Sequence, residues 1–133
     1  MRRVLAVLLT ISSTLFGASA YSHHTFAVEY ERTETVTIEA VVTGVHFENP
    51  HVRLDLLVSS GEVDQQQWVA NSIGPGSLAR RGWLRDTVKV GDRLTLYGNL
   101  GSFGAKRLWI QTMTLEDGVE IYPVGRVPES EDG

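Results

Sequence analysis

Apolar and polar residues alternate along most of this chain with a period of two, the signature of strands with one buried face. From Glu34 to Phe47, Val36, Ile38, Ala40 and Val42 alternate with Thr35, Thr37, Glu39 and Val41. Gly44 breaks that rhythm, which predicts a bulge or sharp coil. Asn49-Pro50 ends the strand in a turn. From His51 to Ser59, Val52, Leu54, Leu56 and Val58 form a second buried face, with Arg53 and Asp55 pointing away. A hairpin turn over residues 59–62 leads to a third strand, Gln65 to Asn71, centred on Trp68. Gly74-Pro75-Gly76-Ser77 stops the sheet, and Ser77 is placed to cap a short helix from Leu78 to Trp83. The turn Val90-Gly91-Asp92 precedes a fourth strand, Arg93 to Gly98. A glycine-rich loop to Gly104 leads to a fifth, Ala105 to Leu115, and Val119 to Pro123 can add a last short strand.

A long bent first strand and a small helix between strands three and four predict an all-β, OB-like five-stranded barrel over residues 34–123. Its expected core is Val36, Ile38, Val42, Val52, Leu54, Leu56, Trp68, Leu94, Leu96, Leu108 and Ile110. Residues 21–33 read as an amino-terminal arm, and residues 124–133 as a disordered, acidic tail.

The start of the chain has a different pattern. Arg2 and Arg3 precede an apolar run from Val4 to Phe16, followed by Ala18-Ser19-Ala20. This is the layout of an export signal with a small-residue cleavage site. The run is shorter than the ~20 residues a membrane-spanning helix needs. The expectation is a cleaved signal over residues 1–20, no permanent membrane anchor, and a periplasmic or secreted product. The chain has no cysteine, so neither a disulfide framework nor a lipidated cysteine is available. The signal carries two of the twelve basic residues and none of the sixteen acidic ones. The product is therefore acidic, which argues against nucleic acid as a partner.

Four pieces together resemble a family of small exported bacterial proteins, the domain of unknown function 6152. They are His23-His24-Thr25-Phe26, Asn49-Pro50-His51, Leu78-Ala79-Arg80-Arg81-Gly82-Trp83, and Val90-Gly91-Asp92 before a strand. The resemblance runs from about His23 to Gly118. It implies an exported, OB-like β-barrel and carries no activity with it. Two positions depart from the family pattern. Asn71 stands where the third strand of the family usually ends in an acid, and His46 lies where the family does not usually have histidine.

Candidate chemistry centres on the four histidines, His23, His24, His46 and His51. Neutral imidazole suits copper, nickel and zinc, and Cu(II) favours tetragonal nitrogen sites. Cleavage after Ala20 would leave Tyr21-Ser22-His23, whose amine, two backbone nitrogens and imidazole can chelate Cu(II) without a folded site. Cleavage after Ser22 would make His23 the first residue, and His24 or His51 could then complete a three-nitrogen brace. The metal candidates are thus His23, His24 and His51, with His46 the weaker member. The plainer alternatives are a solvated terminus for the pair, a ring hydrogen bond from His51 to the turn around Asn49, and a surface strand position for His46.

Arg80, Arg81 and Arg85 form a second candidate, a basic cluster for a carboxylate, a phosphate or an envelope protein partner. The alternative is that they pair with Asp86 or Asp92 or cover Trp83. Trp68, Trp83, Trp109, Asn49, Pro50 and Gly82 read as structural. No Gly-x-Ser-x-Gly elbow or His-Glu-x-x-His helix is present. The sequence therefore points to a small exported ligand-binding or accessory protein, with Cu(II) or a related metal as its specific ligand. The other reading is an interaction or anion-binding module of the cell envelope.

Overall fold

The computed structural model describes residues 29–60 and 64–125. The fold is all-β. Its strands are β1 (Tyr30–His46), β2 (Arg53–Ser60), β3 (Asp64–Asn71), β4 (Arg93–Gly101), β5 (Arg107–Thr114) and β6 (Glu120–Ile121). One short helix, α1 (Pro75–Ala79), lies between β3 and β4.

The strands form one sheet in the order β3-β2-β1-β4-β5-β6, with a further pairing between β3 and β5. Five strands thereby close into a ring. All neighbouring pairs are antiparallel except β3–β5, which is parallel and joins Val69 to Arg107, Ala70 to Leu108 and Asn71 to Trp109. The length of β1 makes the ring possible. Its first part pairs with β4 and its second part with β2, and both pairings hold at Ala40 and Val41. The register shifts between Val42 and Gly44, where the alternation of the sequence breaks. The turn at Val90-Gly91-Asp92 docks on this irregularity: Gly91 N–H donates to the Val42 carbonyl at 2.8 Å, and Val42 N–H to the Asp92 carbonyl at 2.9 Å.

The core inside the ring takes Ile38, Val42, Val52, Leu54, Leu56, Leu94, Leu96, Leu108 and Ile110, as the pattern predicts. Val36 and Trp68 pack against it only partly buried. Trp83, Leu78, Val88 and Met113 are buried in the same core cluster.

Strand limits differ from the sequence reading at several ends. β1 begins at Tyr30, inside the expected arm, and β4 runs on to Gly101. The expected loose loop shrinks to a 3-10 turn over Ser102–Gly104. The helix lies earlier than expected, and Ser77 sits within it rather than at its cap. Gly74 is the N-cap and makes no side-chain cap bond. Pro75 sets the start, since its fixed φ suits the first helical position. Gly82, at φ +88°, sets the end. Trp83 N–H reaches the Leu78 carbonyl at 3.0 Å and Gly82 N–H the Ala79 carbonyl at 3.3 Å. This is a Schellman closure, and the buried Trp83 and Leu78 occupy its two hydrophobic positions. Arg80-Arg81-Gly82-Trp83 is thus a helix stop with a core plug attached.

Candidate functional site

The β1–β2 corner is built by two turns pressed together. The Asn49-Pro50 peptide is cis. A β-carbon on Gly74 would lie 2.9 Å from the Pro50 carbonyl oxygen, so the Gly74-Pro75-Gly76 segment fits there only with glycine at its head. Backbone bonds fasten the corner: Val52 N–H donates to the Ile73 carbonyl at 3.3 Å and Ser72 N–H to the Val52 carbonyl at 2.9 Å. Arg85 adds a cation–π contact, with its guanidinium carbon 5.5 Å from the Phe47 ring centre.

His51 projects from this corner and is exposed. Its ring meets Trp109 of β5 edge-on, with centres 5.6 Å apart and planes at 84°. Its ring nitrogens have no hydrogen-bond partner among the described residues, so the expected bond to the turn around Asn49 is not made. The other side of the same cluster is Tyr30. Its ring lies 5.8 Å from Trp109 at 62°, and Asn71 Nδ2 donates to its hydroxyl at 2.5 Å. Burial raises the Tyr30 pKa above its ordinary value, and the Asn71 bond offsets part of that rise. Trp109 therefore joins three places distant in sequence: the start of β1, the end of β3 and the β1–β2 corner.

His46 is in a different setting. The shift at Gly44 places it opposite Arg53. Its Nε2 is 2.8 Å from Asp55 Oδ2 and 2.9 Å from Arg53 Nη2. Arg53 Nε also lies 3.3 Å from Asp55 Oδ1. One nitrogen cannot serve both neighbours at once: it donates to Asp55 when protonated and accepts from Arg53 when bare. His46 belongs to this triangle, apart from the His51–Trp109 contact. His23 and His24 lie outside the described residues. Among the described residues, no three His, Cys, Asp or Glu side chains form a group that could hold a metal ion.

The arginines read as one cluster have separate tasks. Arg81 Nη1 donates to the carbonyls of Tyr122 at 3.1 Å and Gly125 at 3.2 Å, tying the segment after β6 to the helix exit. Arg85 covers Phe47, and Arg80 is exposed. Two of the three are thus turned to the chain itself, and Arg80 faces solvent.

Sequence reasoning missed a cleft of about 370 Å³ lined by Arg53, Val69, Asn71, Ala105, Lys106 and Arg107. Its residues come from β2, β3 and the approach to β5. Only the parallel β3–β5 pairing brings them together, and no local pattern announces such a pairing.

A family model spans residues 11–107, taking in the Asn49-Pro50-His51 corner, the helix stop and the Val90-Gly91-Asp92 turn. The chain belongs to the family of unknown function DUF6152. No curated protein and no solved structure matches it. For this DUF6152 member the corner, the helix stop and the turn each have a task in holding the fold. Among the described residues, the side chain of His51, at the end of the Asn-Pro-His piece, has only its ring contact with Trp109. No helix among the described residues is long and apolar enough to cross a membrane.

Proposed function

We propose that this protein is an exported, OB-type β-barrel that binds Cu(II) or a related transition metal, with His51 as the ligand from the folded domain and His23 and His24 as ligands from the segment before β1. The barrel reading is supported by the closed ring and by its parallel β3–β5 pair. Export is supported by the residue pattern of the first twenty positions.

The observation that carries the metal reading is the double contact of Trp109. One ring touches both Tyr30 and His51. The chain therefore enters β1 beside the exposed imidazole. His24 precedes Tyr30 by six residues, a stretch that spans at most about 20 Å when extended. The His pair thus has the reach to meet His51 without any change in the sheet. A ring nitrogen on His51 with no partner among the described residues is the chemistry such a site needs, since the neutral imidazole is the binding form.

Competition titration with Cu(II) on protein carrying its processed amino terminus tests this. The intact protein should bind at least tenfold more tightly than a Tyr-Ser-His-His peptide, and His51→Ala should remove that advantage. Equal affinity for protein, variant and peptide would reduce the binding to an incidental chelate of the terminus.

A further inference from the structure

We infer that the cleft between β2, β3 and the β4–β5 connection is a binding site for a small oxyanion, the carboxylate or phosphate group of a small molecule. It is distinct in chemistry from the metal reading and rests on different residues.

The sheet registers dictate the placement. Arg53 is the Cα partner of Asn71 across β2–β3, and Val69 is the partner of Arg107 across β3–β5. The intervening positions Leu54, Ala70 and Leu108 are fully buried inside the ring, so Arg53, Asn71 and Arg107 share the outer face. Val69 N–H donates to the Lys106 carbonyl at 3.1 Å, which holds the connection against the edge of β3. Arg53, Lys106 and Arg107 thus line one concave space, and its described lining residues include no carboxylate.

Donors remain open there. Arg53 uses Nε on Asp55 and, when His46 Nε2 is bare, Nη2 on His46, and its Nη1 has no partner among the described residues. Among the described residues Arg107 has only a long pairing, Nη1 to Glu29 Oε2 at 3.7 Å. Lys106 is exposed, and its ammonium has no partner among the described residues. Asn71 holds Tyr30 with one amide hydrogen, and its second has no partner among the described residues. Guanidinium forks match the paired oxygens of carboxylate and phosphate, and a lysine adds a compact charge beside them. Asp55 and Glu29 lower the net charge of the region, which favours one small anion over a polyanion.

Amide chemical-shift titration of the full chain tests this, with inorganic phosphate and succinate as probes and sodium chloride holding the ionic strength. Saturable shifts are expected at Val69, Asn71, Lys106 and Arg107, with a dissociation constant of about 1 mM or tighter. Saturation by phosphate alone would assign a phosphate group, by succinate alone a carboxylate, and by both a general oxyanion site. Arg107→Gln and Lys106→Gln should each weaken binding about tenfold, and Arg80→Gln should leave it unchanged. Shifts that stay linear, or that spread equally over Arg80, Arg85 and Arg93, would overturn the inference. So would variants that bind as tightly as the original chain. The Cu(II) titration reads His51 and this one reads Arg107 and Lys106, so each proposal stands or falls alone.

Discussion

A β-carbon on Gly98 would lie 1.9 Å from the carbonyl oxygen of Trp109. The two residues meet where the β4–β5 register shifts between Tyr97 and Gly98, so only a bare α-carbon fits against that stretch of β5. The fold thus holds Trp109 from behind by its main chain, while its ring meets Tyr30 and His51 in front. Gly98→Ala would push β4 and β5 apart. The expected cost is about 3 kcal/mol, at the upper end for an overpacked contact. Urea unfolding checks the size. A change in tryptophan fluorescence of the still-folded variant would show that Trp109 has moved.

Gly82 carries a separate prediction. It ends α1 at φ +88°, and a β-carbon there would meet open space, so the cost of Gly82→Ala is conformational alone. A left-handed non-glycine residue costs roughly 1–2 kcal/mol. Gly82→Asn should lose less, because asparagine tolerates that conformation better. Thermal or urea unfolding of the two variants should place them in that order. Equal losses would mean that the turn relaxes rather than holding its backbone.

Tyr30 gives the fold a dependence on alkaline pH. Burial raises its pKa above the ordinary value of 10.0, so the folded state favours the protonated phenol. That contribution is complete below the unfolded value and is lost as pH rises through the folded one. Tyr122, whose hydroxyl donates to Glu120, is raised by that bond and acts in the same direction from the surface. Stability to urea should therefore fall as pH rises above about 10. In Tyr30→Phe the fall should be shallower. An identical pH profile in that variant would contradict the buried phenol.

Much of the sheet was legible because each strand has one buried face. Val52, Leu54 and Leu56 read as core from period two alone, and all three are inside. Gly44 and Asn49-Pro50 marked the bulge and the corner because both break pairing. The helix limits misled because Ser77 has a capping side chain, whereas the backbone preferences of Pro75 and Gly82 set the ends. The side-chain neighbourhoods were hidden for a different reason. Arg81 bonds carbonyls beyond β6, and His46 meets Asp55 and Arg53 only because β1 shifts register beside them. The cationic cleft depends on a parallel pair between strands far apart in sequence. Local periodicity shows which face a residue takes but not which strand lies next to it.

The central claim is that His51 and the segment before β1 form one metal site beside Trp109. Tryptophan fluorescence during Cu(II) addition tests it most directly, because bound Cu(II) quenches an indole next to it. Protein with its processed amino terminus should lose much of its emission, with an end point at one equivalent. Trp109→Phe should abolish most of that quenching, and His51→Ala should shift it to higher Cu(II). Quenching that is the same with and without His51 would contradict the account.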